Sequence, residues 1–194
     1  MVSLSRQAVP RRRAVGGVSM IEVLVTLVII AFGLLGLAGL QARLQTSEME
    51  SYQRTQALLL LNDMANRIAT NRNNAADYVT TVASPLGAGM TCPTTTATVG
   101  QRDLREWCNA LQGAGETTDL GATKVGAMVG GRGCVESVDG DYLVTVVWQG
   151  LTPIAAPPAS VACGADSYNG TTGSCVNDRC RRTVTTLVRI ATLL

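Results

Sequence analysis

Two sets of side chains in this sequence have chemistry to account for: six cysteines, and a single carboxylate set inside an apolar run. Cys92, Cys108, Cys134, Cys163, Cys175 and Cys180 offer thiols for disulfides, for a metal or for redox exchange. No pair is spaced as C-x-x-C, so neither a zinc knuckle nor a dithiol redox centre is written in the spacing. The chain has no histidine, which removes the usual mixed zinc ligand and the commonest general base. An even count of cysteines in an exported domain favours disulfides, although their pairing is not decided by the sequence. The local loop from Cys92 to Cys108 is the most natural bridge, because both flank a short polar segment.

Glu22 is the carboxylate. It is the only charge between Val18 and Leu40, 23 residues that as a helix extend about 34 Å, enough to cross a bilayer. A carboxylate there costs about 2.5–3.5 kcal/mol even on lenient insertion scales, so it sits near headgroups, is protonated, or has a partner. Arg6, Arg11, Arg12 and Arg13 precede the run and no arginine follows until Arg43, which keeps the N-terminus cytoplasmic and exports the rest. All six cysteines then share the exported side. A secretory signal cleaved near Ala38 is the competing reading, but its apolar core is ordinarily shorter.

The net charge is 16 − 14 = +2, and without those four arginines it is 12 − 14 = −2. The exported part therefore lacks the basic excess of a nucleic-acid binder, and no nucleic-acid partner is expected. Arg179, Arg181 and Arg182 cluster, and the expectation is a solvated strand edge.

The string Gly16-Gly17-Val18-Ser19-Met20-Ile21-Glu22-Val23-Leu24-Val25-Thr26-Leu27 resembles the type III signal of type IV prepilins. The resemblance implies that a prepilin peptidase cuts after Gly17 and methylates the new N-terminus at Val18, where the family usually has Phe. It also supplies a partner for Glu22, the free α-amino group of a neighbouring subunit, with which the carboxylate offsets the cost of burying either charge. Gly33, Gly36 and Gly39 each cost about 1 kcal/mol relative to Ala in a helix. Close helix packing and a segment that melts on filament entry are both open for them.

Beyond Gln41 no Pro or Gly occurs before Val82, and Ala57, Leu60, Leu61, Met64 and Ile68 mark one helical face. Glu48, Glu50, Arg54, Asp63 and Arg67 supply polar surface, and Asn71, Asn73 and Asn74 suggest an end near residue 72. The stretch from Met49 to Ile68, with Asn71 to Ala76, Tyr78 and Gly126 to Cys134, looks like the PilV minor-pilin family. The expected organisation is a cleaved leader at 1–17 and an N-terminal helix at 18–72, with 18–40 spanning the membrane or filament core and 41–72 amphipathic. A disulfide-bonded periplasmic head at 73–194 completes it.

In the head, Asp139-Gly140-Asp141 between Cys134–Val138 and Tyr142–Trp148 predicts a hairpin, and the alternation from Arg182 to Leu193 predicts a third strand. Thr94 to Gly100 and Thr152 to Gly173 read as loops. Trp107 and Trp148 read as core. The fold class is α+β, and the resemblance implies a pilin fold: a long helix packed on a small antiparallel sheet. The sequence shows no nucleophile–base pair, metal set or P-loop, so no enzyme, cofactor or metal is expected.

The function implied by the resemblance is that of a minor type IV pilin, held in the inner membrane and then in the extracellular pilus. It would take part in pilus priming at the tip, supporting adhesion or twitching motility. Expected partners are other minor and major pilins, prepilin peptidase, the inner-membrane assembly platform, a tip adhesin and the lipid bilayer. A type II secretion pseudopilin shares the same leader and helix, and a membrane-anchored periplasmic enzyme is the reading from another class, one that gives Gly17 and Glu22 no task.

Overall fold

The structure, a computed structural model, describes residues 17–115, 117–118, 123–124, 126, 128–171 and 173–190. The leader arginines Arg6, Arg11, Arg12 and Arg13 lie outside the described residues, as do Gly16, Ala127 and Thr192. The chain divides into two compact units, one up to Leu44 and one from Gln45 onward.

Helix α1, Met20–Thr70, begins where Ser19 offers its carbonyl to the N–H groups of Glu22 at 3.0 Å and Val23 at 3.2 Å. Every residue from Gly17 to Leu44 is exposed. By length and composition α1 carries a stretch apolar enough to cross a membrane. Its one hydroxyl-bearing interior residue in that stretch, Thr26, returns its Oγ1 to the Val23 carbonyl at 2.8 Å, leaving no free donor.

The second unit is α+β. The later part of α1 buries Gln53, Ala57, Leu61, Met64 and Ile68; of the stripe anticipated from the spacing Leu60 is only half-buried, and Gln53 joins it. It ends at Thr70 and passes into a 3-10 helix, Arg72–Tyr78. Strand β1 is Leu86–Gly87, followed by helix α2, Val99–Leu111. Strands β2, Thr117–Thr118, and β3, Thr123–Lys124, form a small hairpin. Strands β4, Arg132–Val138, β5, Asp141–Gln149, and β6, Arg181–Val188, complete an antiparallel sheet of order β1-β4-β5-β6.

Asp139 (φ 52°) and Gly140 (φ 88°) make the β4–β5 turn, a left-handed pair that suits the strand twist. Asp141 pairs with Val138 and so belongs to β5 rather than to the turn. The third strand forms over Arg181–Val188 and does not include Arg189 or Ile190, while the expected end at Leu193 lies outside the described residues.

Helix α2 is a correction to the sequence reading, which placed Thr94 to Gly100 in a loop; Val99 and Gly100 instead open a helix. The cause is a reciprocal cap: Thr98 Oγ1 accepts the Gln101 N–H at 3.2 Å, and Gln101 Oε1 accepts the Thr98 N–H at 3.4 Å. The helix buries Trp107, Cys108 and Leu111.

One face of the sheet, through Val135, Val144, Val146, Trp148 and Val188, packs with the α1 stripe and α2. The alternate residues Cys134 and Val147 join Cys163 and Tyr168 on the other face. The cysteines form the bridges Cys92–Cys108, Cys134–Cys163 and Cys175–Cys180, and none is free. The first is the local loop favoured by the sequence. The second clamps the long β5–β6 connection onto the sheet, and closing a loop of that size contributes about 3–4 kcal/mol.

Gly133 has a specific reason. A side-chain carbon there would collide with the far edge of the Trp107 ring, at Cη2, Cζ3 and Cζ2. Gly133→Ala is therefore expected to destabilise the second unit by about 1–3 kcal/mol, as overpacking of a core does. Guanidinium unfolding of the detergent-solubilised chain would show it as a lowered midpoint, and an unchanged midpoint would mean that Trp107 has room to move.

Candidate functional site

The residues singled out by the sequence fall in two places that the structure does not bring together chemically. At the N-terminal end, Gly17 and Val18 precede α1 in irregular, exposed backbone, and a side-chain carbon added at Gly17 meets nothing within 4 Å. Glu22 occupies the first turn of α1, where the positive end of the helix dipole favours a carboxylate. Its carboxylate has no hydrogen-bond or ionic partner among the described residues. The junction and the carboxylate are thus four residues apart in sequence and both accessible.

Along the same helix, Gly33, Gly36 and Gly39 are exposed, and an added side-chain carbon at any of them meets nothing within 4 Å. No contact among the described residues requires glycine there. The cost to the helix is real and the compensating approach is not made by this chain itself.

The six cysteines make up the second place, all inside the second unit and all bridged, so none offers a thiol for nucleophilic or redox work. Among the described residues no group of three or more His, Cys, Asp or Glu side chains is arranged to hold a metal.

Two polar clusters hold the second unit to its own stretch of α1, and the sequence reading saw neither. Arg67 Nε lies 3.0 Å from Asp63 Oδ2, while Nη1 reaches Asp103 Oδ1 at 2.7 Å and Glu106 Oε2 at 2.9 Å on α2. Burial alone would lower the Arg67 pKa; hydrogen bonds to Glu106, Asp63 and Asp103 outweigh it and raise it. The Tyr78 hydroxyl donates to Asp103 Oδ2 and accepts from Asn71 Nδ2 at 3.2 Å. The second cluster centres on Glu50, whose Oε1 accepts from Arg182 Nη2 at 3.1 Å and from the N–H groups of Leu151 at 3.1 Å and Thr152 at 3.4 Å.

That cluster corrects the expectation for the arginines. Only Arg179 is exposed. Arg181 is 3% exposed, its Nη1 donating to the carbonyls of Val161 at 2.7 Å and Cys163 at 3.0 Å and its Nε lying 3.1 Å from Asp178 Oδ2. Arg182 braces Glu50 and the Thr152 carbonyl. These arginines are occupied in holding the β5–β6 connection, because that connection presents carbonyls that no strand pairs.

Tyr78 gives a pH signature. Burial, then the hydrogen bond to Asp103, push its pKa from 10.0 up to about 12. The neutral phenol is favoured by folding, so its stabilisation is complete below pH 10 and is lost as pH rises through about 12. Denaturant midpoints are expected to fall across that window, and Tyr78→Phe to reduce the fall. An identical pH dependence in the variant would assign the loss to other groups.

Compared with family models, curated proteins and solved structures, the chain matches none.

Proposed function

We propose that this chain is a minor type IV pilin with the pilin fold: a prepilin anchored in the inner membrane by α1, its head periplasmic, processed at Gly17–Val18 and then built into a pilus. The observation that carries the reading is Glu22, an unpartnered carboxylate in the first turn of a fully exposed apolar helix, four residues after an accessible Gly-Val junction.

Hydrolysis of the Gly17–Val18 peptide bond by prepilin peptidase frees the Val18 α-amino group, whose nitrogen then takes a methyl group from a methylsulfonium donor, releasing the thioether, and the methylated amine stays cationic. In the filament that amine faces Glu22 of a neighbouring subunit. Each charge alone would be costly in an apolar bundle, and together they offset that cost and fix the axial register. Gly33, Gly36 and Gly39 permit close approach of neighbouring helices. The bridged head needs an oxidising compartment, which agrees with a periplasmic and then extracellular location. Other minor and major pilins, the assembly platform, the lipid bilayer and a tip adhesin are its partners in priming at the tip, in support of adhesion or twitching motility.

Two outcomes are expected. N-terminal sequencing of the membrane-extracted protein should begin at methylated Val18; a start near Ala38, or an intact Met1, would remove the assignment. Glu22→Ala should insert more easily, because about 2.5–3.5 kcal/mol of insertion cost disappears. It should nevertheless be depleted from sheared pili, since the unpaired amine then costs about 3–5 kcal/mol. Immunoblots of inner-membrane and pilus fractions measure both, and normal incorporation would make Glu22 a tolerated charge only.

A further inference from the structure

The sheet of the second unit has two edges, and the chain treats them differently. Main-chain groups in an antiparallel strand point alternately to its two sides. On the outer side of β4, Leu86 and Gly87 pair with Gly133 and Arg132. The Ala88 N–H reaches the Gly131 carbonyl at 2.8 Å, the Thr80 N–H reaches the Val135 carbonyl at 2.8 Å, and the Val135 N–H reaches Thr80 Oγ1 at 2.9 Å. That edge is closed from Gly131 to Val135.

At the other edge, the Gly150 N–H donates to the Cys180 carbonyl at 2.7 Å, in register with the pairs Gln149–Arg181 and Trp148–Arg182. Arg182, Val184, Thr186 and Val188 therefore turn their main-chain groups toward β5, and Arg181, Thr183, Thr185 and Leu187 turn theirs outward. The outward side is used at its start, where the Arg181 N–H donates to the Asp178 carbonyl at 3.0 Å and the Ile154 N–H to the Arg179 carbonyl at 2.8 Å. From Thr183 to Leu187 no described strand pairs with it. This stretch has no charge, proline or bulge, the devices that ordinarily blunt a free edge.

A groove of about 490 Å³ adjoins the open edge, with Trp148, Ile154, Pro157, Thr183, Val184 and Arg54 in its lining. Arg54 is exposed and makes no hydrogen bond or ion pair among the described residues. Just beyond β6, the Arg189 side chain is 82% exposed and reaches Asp141 only at 3.8 Å. An unpaired cation at one end of the open strand and an exposed, loosely paired one at the other thus flank it.

We infer that β6 from Thr183 to Leu187 is a strand-addition site for an extended, acidic polypeptide segment of a partner protein. The segment's main chain pairs with the outward groups, one apolar side chain enters the groove, and its carboxylates meet Arg54 and Arg189. A second copy of this chain fits less well, because β6 contains no carboxylate to meet Arg54 and Arg189. The site does not depend on whether the chain enters a filament.

The test uses the full chain in detergent micelles and a fluorescein-labelled peptide of alternating threonine and valine with a glutamate at each end. Controls are a twin with lysine at each end and a twin with alternate amides N-methylated. Anisotropy titration is expected to show saturable binding of the glutamate peptide, weaker by at least tenfold for either twin. Thr185→Pro, which removes an outward N–H and leaves the β5 ladder whole, should weaken it similarly. Arg54→Glu, at an exposed position that leaves the core untouched, should do the same. No saturable binding, equal binding of the twins, or indifference to both substitutions would overturn the inference. Self-association abolished by Thr185→Pro would also overturn it, by assigning the edge to a second copy.

Discussion

Trp107 is the wedge on which the second unit depends. Its indole N–H donates to the Leu60 carbonyl of α1 at 2.9 Å, its ring occupies the space that Gly133 leaves open on β4, and its neighbour Cys108 bridges to Cys92. One side chain thus touches the long helix, the sheet and the cross-linked loop, and is itself fully buried. The Arg67 cluster then fixes the rotation of α2 about that wedge, because Asp103 and Glu106 are held on the side of α2 that meets α1.

The opposite face of the sheet is organised by covalent and polar means instead. The β5–β6 connection contributes Cys163 and Tyr168 to a small cluster with Cys134 and Val147, too little apolar surface to order so long a segment alone. Cys134–Cys163 supplies the tether and Arg181 supplies donors for two of its carbonyls. Tyr168 adds a hydrogen bond to the Gly130 carbonyl at 2.7 Å and takes the Arg132 guanidinium over its ring at 5.0 Å. Burial raises the Tyr168 pKa, in keeping with a phenol that donates its proton.

What the sequence reveals follows from the range of the interactions. The α1 stripe, the Asp139–Gly140 turn and the strand alternation are written in periods of a few residues, and each is legible. Helix α2 was also written locally, in Thr98-x-x-Gln101, but a glycine at its second position and a run of threonines before it mask the signal. The braces from Glu50 to Arg182 and from Arg67 to Glu106 join residues 132 and 39 apart, and nothing in either neighbourhood marks its partner. Glu22 is legible for the opposite reason. A charge among apolar residues is conspicuous because its surroundings supply no answer to it.

The run from Val18 to Leu40 poses a different problem from the rest of the chain. Its apolar surface faces outward on every side, so no single stripe seeks a core, and a helix of that kind must be covered from outside. The helix satisfies its own backbone, and Thr26 returns its hydroxyl to Val23, so the cover need offer no hydrogen bonds along most of the length. Lipid meets that requirement, and so do other helices of the same kind. Glu22 bears on the choice. Lipid alone gives its carboxylate no cation within the apolar layer, and on the proposed reading the amine freed at Val18 of a neighbouring helix would supply one. The three glycines bear on the same distinction, because lipid gains nothing from a missing side chain and a closely packed helix does.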